Sequence, residues 1–430
     1  EIERRQHVER WLRIERRDAR YTLDYGVSGK WSMMVDYNKI PHRFGNNGLI
    51  LFSETSPGRW QIADSIQQSL QSTLVQQFAT DRSKITYAYL DRLITPYLNA
   101  ANTIDLDLQR DRTRAVVEVG QMGHMAWKLD YAHENRTGNR PYGSSFGFGN
   151  VVELPEPIDY ATDNATLSGE LKGKNGGLTF GYRYSTFKND VDSMIFDNPF
   201  RYTDSTDPSA YQAPGTASVG GAATGQADLA PDNESGALFM NGRLRAGSWS
   251  MNGALTYNEM KQNDDLVPYT LNSAIRGIDF DHSTFAATDP AQLPTGQADT
   301  QVDVLSFYGS ANGKLGDAFT LGFKVRYYDY DNGSSRTEFP GYVRYHGVWE
   351  EIGRVTVPYS YTVEDFGADL GWNFGEASRL GLAYNRQSWD RDYREIEESD
   401  EDILKFTYDT RLGAFQIRAF YEMGDRSIGD

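Results

Sequence analysis

Apolar and polar residues alternate strictly along a series of short segments. In residues 319–327, Phe319, Leu321, Phe323, Val325 and Tyr327 fall on one parity, and Thr320, Gly322, Lys324 and Arg326 on the other. A period of two is that of a β-strand with one apolar face. The pattern returns in Met125, Trp127, Leu129 and Tyr131 against Lys128 and Asp130, and in Leu178, Phe180, Tyr182 and Tyr184 against Thr179, Gly181 and Arg183. Further strands are predicted at residues 238–246 and 249–257. Phe366, Ala368, Leu370, Trp372 and Phe374 alternate with Asp369 and Asn373; Leu404, Phe406 and Tyr408 with Lys405, Thr407 and Asp409; Phe415, Ile417, Ala419 and Tyr421 with Gln416 and Arg418. These alternating cores, of roughly 5 to 9 residues, approach with their flanks the about 9 to 11 that a tilted strand needs to cross a bilayer. Tyr327, Tyr328 and Tyr330 suit an aromatic girdle where their strand leaves the membrane.

The connections alternate in length. Short turns are predicted at residues 26–30, 121–124, 174–177, 245–248, 312–317, 373–378 and 411–413, most of them containing Gly, Asn or Asp, which tolerate the positive φ of a tight hairpin. Between them lie long polar stretches at 39–110, 136–163, 187–235, 261–299, 331–362 and 387–401. Short turns at one end and long loops at the other are the periplasmic and extracellular ends of an outer-membrane barrel. The predicted fold is therefore all-β: a large transmembrane antiparallel up-and-down β-barrel, with residues 1–430 as a single domain. Residues 203–236, rich in Ser, Thr, Ala, Gly and Pro, read as a flexible loop. Ile62, Ile66, Leu70 and Leu74 recur every four residues and predict a helix packed on a loop or rim.

Hydrophobic content of 39% with mean hydropathy −0.61 excludes a helical membrane protein, which needs stretches of about 18 to 20 apolar residues. A barrel escapes that test, because half of each strand faces water. The 27 Tyr fit aromatic belts at the two interfaces. Cys is absent, which rules out disulfides and thiolate-held metals in these residues. A net charge of −17 argues against nucleic acid as a partner; much of the acid sits in loops and reads as solvated. The six His have no metal-ligand spacing, and no phosphate loop, nucleophile elbow or haem-attachment motif occurs. No catalytic, cofactor or metal site is expected, and the chain reads as a non-enzyme.

The alternation instead nominates a wall. Lys128, Asp130, Arg183, Asn241, Arg243, Lys324, Arg326, Asp369, Lys405 and Arg418 oppose the apolar parity and are expected to face the lumen, where they are candidates for contact with a partner. They lack the one-sign rings of a strongly ion-selective pore. About 15 strands are countable. An odd count and a polar end at Asp430 predict further strands beyond one or both ends, so the chain reads as an incomplete portion of a larger barrel. The charged start, residues 1–5, predicts a sequence that begins after processing or inside a longer protein.

Several strings resemble those of one family. FGNVVELPEPIDYAT (148–162), YNKIPHRFGNNGLILF (37–52), DSMIFDNPF (192–200), LAPDNE (229–234), QNDDLVPYT (262–270), RYYDYDN (326–332), VPYSYT (357–362) and DRDYREIEESDED (390–402) are similar to signatures of the MtrB/PioB family of decahaem-associated outer-membrane β-barrels. The resemblance implies a barrel in the Gram-negative outer membrane that sheathes a periplasmic multihaem c-type cytochrome, whose haems carry electrons across it. Haem would belong to the partner and not to this chain. An extracellular multihaem cytochrome would be a second partner, and outer-membrane lipid the surroundings. Closing about 15 strands gives a diameter near 30 Å and about 26 strands near 50 Å, and only the larger leaves ample room for a cytochrome. The alternative expectation is a porin or substrate channel for small solutes.

Overall fold

A computed structural model of the chain describes residues 10–11, 18–122, 124–147, 150–199, 222–375 and 377–429. Its main feature is a 15-stranded sheet in which each strand pairs antiparallel with the next in sequence. The strands are β1 (Arg10–Trp11), β2 (Ala19–Val27), β3 (Trp31–Ile50), β4 (Asn102–Met122), β5 (Met125–Phe146), β6 (Asn150–Gly173), β7 (Gly176–Asn189), β8 (Asn233–Ala246), β9 (Trp249–Gln262), β10 (Thr300–Leu315), β11 (Phe319–Asn332), β12 (Tyr361–Phe374), β13 (Ser378–Arg391), β14 (Glu398–Leu412) and β15 (Phe415–Gly429). Short hairpins join them at one end. Gly29, Gly247, Gly316, Gly375 and Gly413 hold positive φ in those turns, between 60° and 74°, which explains why the turns carry glycine.

Strand register decides what the faces look like. Paired residues on adjacent strands point to the same side, so the ladder can be followed from β2 to β15. One face carries Tyr21, Leu23, Trp31, Trp127, Leu129, Leu255, Phe307, Phe323, Phe366, Leu382 and Phe406, all exposed. The apolar run of β11, residues 319–327, spans about 26 Å along the strand, or about 20 Å of membrane height at a tilt near 40°.

The apolar face ends at a repeated device. Tyr131 donates to Asp163, Tyr184 to Glu234 and Tyr257 to Asp303, at 2.6 to 2.8 Å, and Tyr384 donates to Asp402 at 2.5 Å. Each carboxylate lies on a neighbouring strand, two residues nearer the long-loop end than the residue paired with that Tyr. The ring stays with the apolar face while its hydroxyl reaches a charged acceptor, as an aromatic girdle at a lipid–water boundary requires. Of the expected tyrosine cluster only Tyr327 lies on this face. Tyr328 and Tyr330 lie on the opposite face, stacked on Tyr361 at 5.7 and 5.3 Å; in a period-two strand, residues 327 and 328 must part.

Several stretches expected as loops are strand. Residues 39–50 and 102–110 continue β3 and β4, and almost all of 136–163 is the tall hairpin of β5 and β6, paired from Met125↔Leu171 to Phe146↔Asn150. Polar side chains on both faces do not break pairing once a strand has left hydrocarbon. Pro141, Pro155 and Pro157 fit because β4 leaves β5 at Gly138 and β7 leaves β6 at Tyr160, so the hairpin above has free edges. Among the other predicted loops, 187–189, 233–235, 261–262, 331–332, 361–362, 387–391 and 398–401 are also strand ends. Part of the predicted flexible loop, residues 200–221, lies outside the described residues.

The remaining long connections fold together at the long-loop end. Residues 52–56, 59–62, 193–197 and 224–228 form a separate 4-stranded sheet, with Phe196 paired in parallel to Trp60. Phe52, Trp60, Ile62, Phe146, Val152, Leu154, Met194 and Phe196 pack into its core. The predicted helix is α1 (Asp64–Asp81), followed by α2 (Tyr87–Asn99); Ile66 packs on that core and Leu70 is buried. Ile62 belongs to the strand before it. No described helix is long and apolar enough to cross a membrane, which says nothing of strands.

Candidate functional site

The face opposite the apolar one is charged. All of Lys128, Asp130, Arg183, Asn241, Arg243, Lys324, Arg326, Asp369, Lys405 and Arg418 lie on it, as the chain of pairings Asp130↔Thr166↔Arg183↔Ala237, Asn241↔Ala254↔Tyr308↔Arg326 and Gly322↔Asp369↔Ala383↔Lys405 demonstrates. A sheet with these two faces crosses a bilayer at least cost with its apolar face toward lipid, which would turn the charged face inward.

Register also supplies the partners that sequence reading missed. Lys128 meets Glu118 at 3.0 Å, Lys324 meets Asp365 at 3.5 Å and Lys405 meets Glu422 at 2.8 Å, while Asp130 binds Arg114 through two nitrogens and Arg418 binds Asp409. Arg20 with Asp36 and Arg110 with Glu134 extend the same pattern at 2.8 and 2.6 Å. The same parity rule applied strand by strand would have placed these residues on the charged face. Their pairing needs the offset between strands, which only the turns set. Arg183 and Arg326 lie instead over the rings of Phe239 and Tyr328, each 5.8 Å from the centroid.

Such water-facing ion pairs contribute little to stability. What they provide is a hydrophilic wall of mixed sign, with Gly181, Gly322, Gly367, Gly371 and Gly381 as low points between long side chains. Among the described residues no cluster of three or more His, Cys, Asp or Glu is arranged to hold a metal.

At the long-loop end these connections form a cap whose parts are tied to one another by buried polar joints. Asp197 accepts the Ile62 backbone N–H at 3.1 Å, Gln67 donates to the Asn198 carbonyl at 2.9 Å, and Asn272 accepts from the N–H groups of Ala223 and Thr224 while donating to Thr224. A tight turn at Tyr345 and His346, both at positive φ, inserts His346 between Phe146 and Phe196, at ring distances of 5.4 and 5.6 Å. Nε2 of His346 lies 3.1 Å from the Ser144 hydroxyl.

Burial pushes the His346 imidazole down from 6.5 to about 4. An opened cap takes up the proton at its ordinary value and the closed cap does not. The closed state is therefore fully favoured above pH about 6.5 and loses ground as pH falls toward 4, by up to about 3 kcal/mol. Hydrogen-exchange protection of residues 193–197 and 342–350 is expected to fall between pH 7 and pH 4.5, and His346→Asn, which tolerates the turn, should remove that dependence. Equal protection at both pH values would contradict it.

The sequence model of the family described as "outer membrane beta-barrel porin, MtrB/PioB" matches residues 11–430. Outer membrane protein MtrB of Shewanella baltica (strain OS185) is 24% identical over 394 residues, covering 90% of this chain and 48% of that protein, so the chain spans about half the length of this curated relative. Among solved structures, the open form of the ferric-catecholate import receptor Fiu of E. coli K12 aligns with 96% of this chain and 63% of that one, at 12% identity and a TM-score of 0.40. The copper transporter OprC aligns with 95% of this chain and 52% of its own, at 10% identity and a TM-score of 0.43.

Proposed function

The chain belongs to the MtrB/PioB family of outer-membrane β-barrels, and from that premise we propose that its barrel sheathes a multihaem c-type cytochrome, so that electrons cross the outer membrane through the partner's haems. The observation that carries the reading is the continuous hydrophilic inner face, with mixed charges largely paired within the wall. Such a wall is soluble before the partner enters and needs no rearrangement afterwards. The strands supply what a haem chain lacks: a hydrogen-bonded backbone toward lipid and an apolar layer that keeps water and ions from the wire. The haem belongs to the partner, and the chain acts without catalysing a reaction. The cytochrome enters from the short-turn, periplasmic end, while the cap covers the other, where an extracellular cytochrome would dock.

Purification from native membranes followed by haem staining and mass spectrometry tests this. A multihaem cytochrome is expected in stoichiometric amount. Recovery of the barrel without one, together with solute uptake that depends on the barrel, would establish the channel instead.

A further inference from the structure

The inner wall is not uniform. On β7, β8, β9 and β10 every inner-parity residue can be read from continuous registers, and none is Asp or Glu. That sector carries Arg183, Arg243, Arg245 and Lys314, and Arg326 stands at its border on β11, between Tyr308 on one side and Asp365, which Lys324 holds at 3.5 Å, on the other. All are exposed, and among the described residues none has a carboxylate at ion-pair distance. Elsewhere the wall carries carboxylates as well, many of them paired with its cations: Arg20 with Asp36, Lys128 with Glu118 and Lys405 with Glu422.

Position adds a direction. Arg243 and Arg245 immediately precede the Gly247 turn and Lys314 the Gly316 turn, whereas Arg183 and Arg326 lie farther up their strands. The cations thus run from the periplasmic mouth inward along one side. While the lumen holds water they are solvated. Once a protein fills it, an unpaired guanidinium loses that water, and only an anion opposite restores its free energy.

We propose that this sector of β7 to β11 is the docking strip for a carboxylate-rich face of the inserted protein, fixing the rotation of that protein about the barrel axis. The inference rests on the sheath reading and adds which wall is contacted, by what chemistry and from which end. Attraction at the mouth also steers entry, and it weakens as salt rises.

The test is retention of haem protein by the full-length barrel, extracted from native membranes and washed at increasing salt. Changing Arg243, Arg245, Lys314, Arg183 and Arg326 together to Gln is expected to lower retention at 0.3 M salt by roughly tenfold or more, as loss of desolvated charge pairs does. Arg243→Lys with Arg245→Lys should restore most of it. The pair Lys405→Gln and Glu422→Gln, bound to each other elsewhere on the wall, should leave retention unchanged, and heat-modifiable gel mobility reports that each variant is folded. Haem protein held equally by the unaltered barrel and the Gln variant overturns the docking strip and leaves the sheath standing. No haem protein on the unaltered barrel at any salt overturns both.

Discussion

Phe323→Arg is expected to weaken membrane insertion strongly, whereas Ser306→Arg is not. Phe323 is the central member of the apolar run Phe319, Leu321, Phe323, Val325 and Tyr327 on β11, which places it near mid-membrane. Arginine there costs about 2 to 4 kcal/mol on the lipid face of a barrel, a shift of roughly 30- to 900-fold in the folding equilibrium. Ser306 pairs with Thr256 and Tyr328 on the opposite face, among water-facing polar groups. Refolding into lipid vesicles under urea titration measures both. A lower midpoint for Phe323→Arg with Ser306→Arg near the unaltered chain is the expected result; the reverse order would mean that the two faces have been exchanged.

The second large effect lies in the cap. Phe196 is fully buried, packs edge-on against Phe146 at 5.6 Å and sits against His346. Phe196→Ala removes a ring from a core with little else to collapse into it, at a cost of about 3 to 5 kcal/mol. The loss should be local, because the barrel strands hold one another through their own ladders. Limited proteolysis of intact cells is expected to cut the variant within residues 52–62 or 193–199 while the barrel remains heat-modifiable. An uncut cap, or loss of the barrel with the cap, would show that these connections are not a separate cooperative unit.

The difference between these two regions explains what sequence alone revealed. Membrane strands were legible because hydrocarbon forces one parity to be apolar, and turns because positive φ selects Gly, as at Gly247 and Gly316. That residues such as Lys128 and Arg418 share the face opposite the apolar one followed from the same parity. Above the membrane that constraint ends. The β5–β6 hairpin continues through Pro141 and Pro155 with polar residues on both sides, and so read as loop. Ion pairs such as Arg114 with Asp130 depend on register, which periodicity does not encode. Some of the family-like strings turn out to serve the long-loop end: DSMIFDNPF contributes Met194, Phe196 and Asp197 to its core and joints, FGNVVELPEPIDYAT contributes Val152 and Leu154, and Asp232 of LAPDNE accepts the Asn189 N–H at 2.8 Å. Packing between loops distant in sequence leaves no periodic trace, so only the resemblance marked those residues.

The central claim is that protein, not solute, fills the charged interior. A photo-crosslinking residue at Ser306, on the inner face, and another at its neighbour Phe307, on the lipid face, tests it in living cells. Irradiation is expected to join the Ser306 position to a haem-staining protein and to leave the Phe307 position free of it. Absence of a protein adduct from Ser306, in a barrel that admits small solutes, would contradict the account.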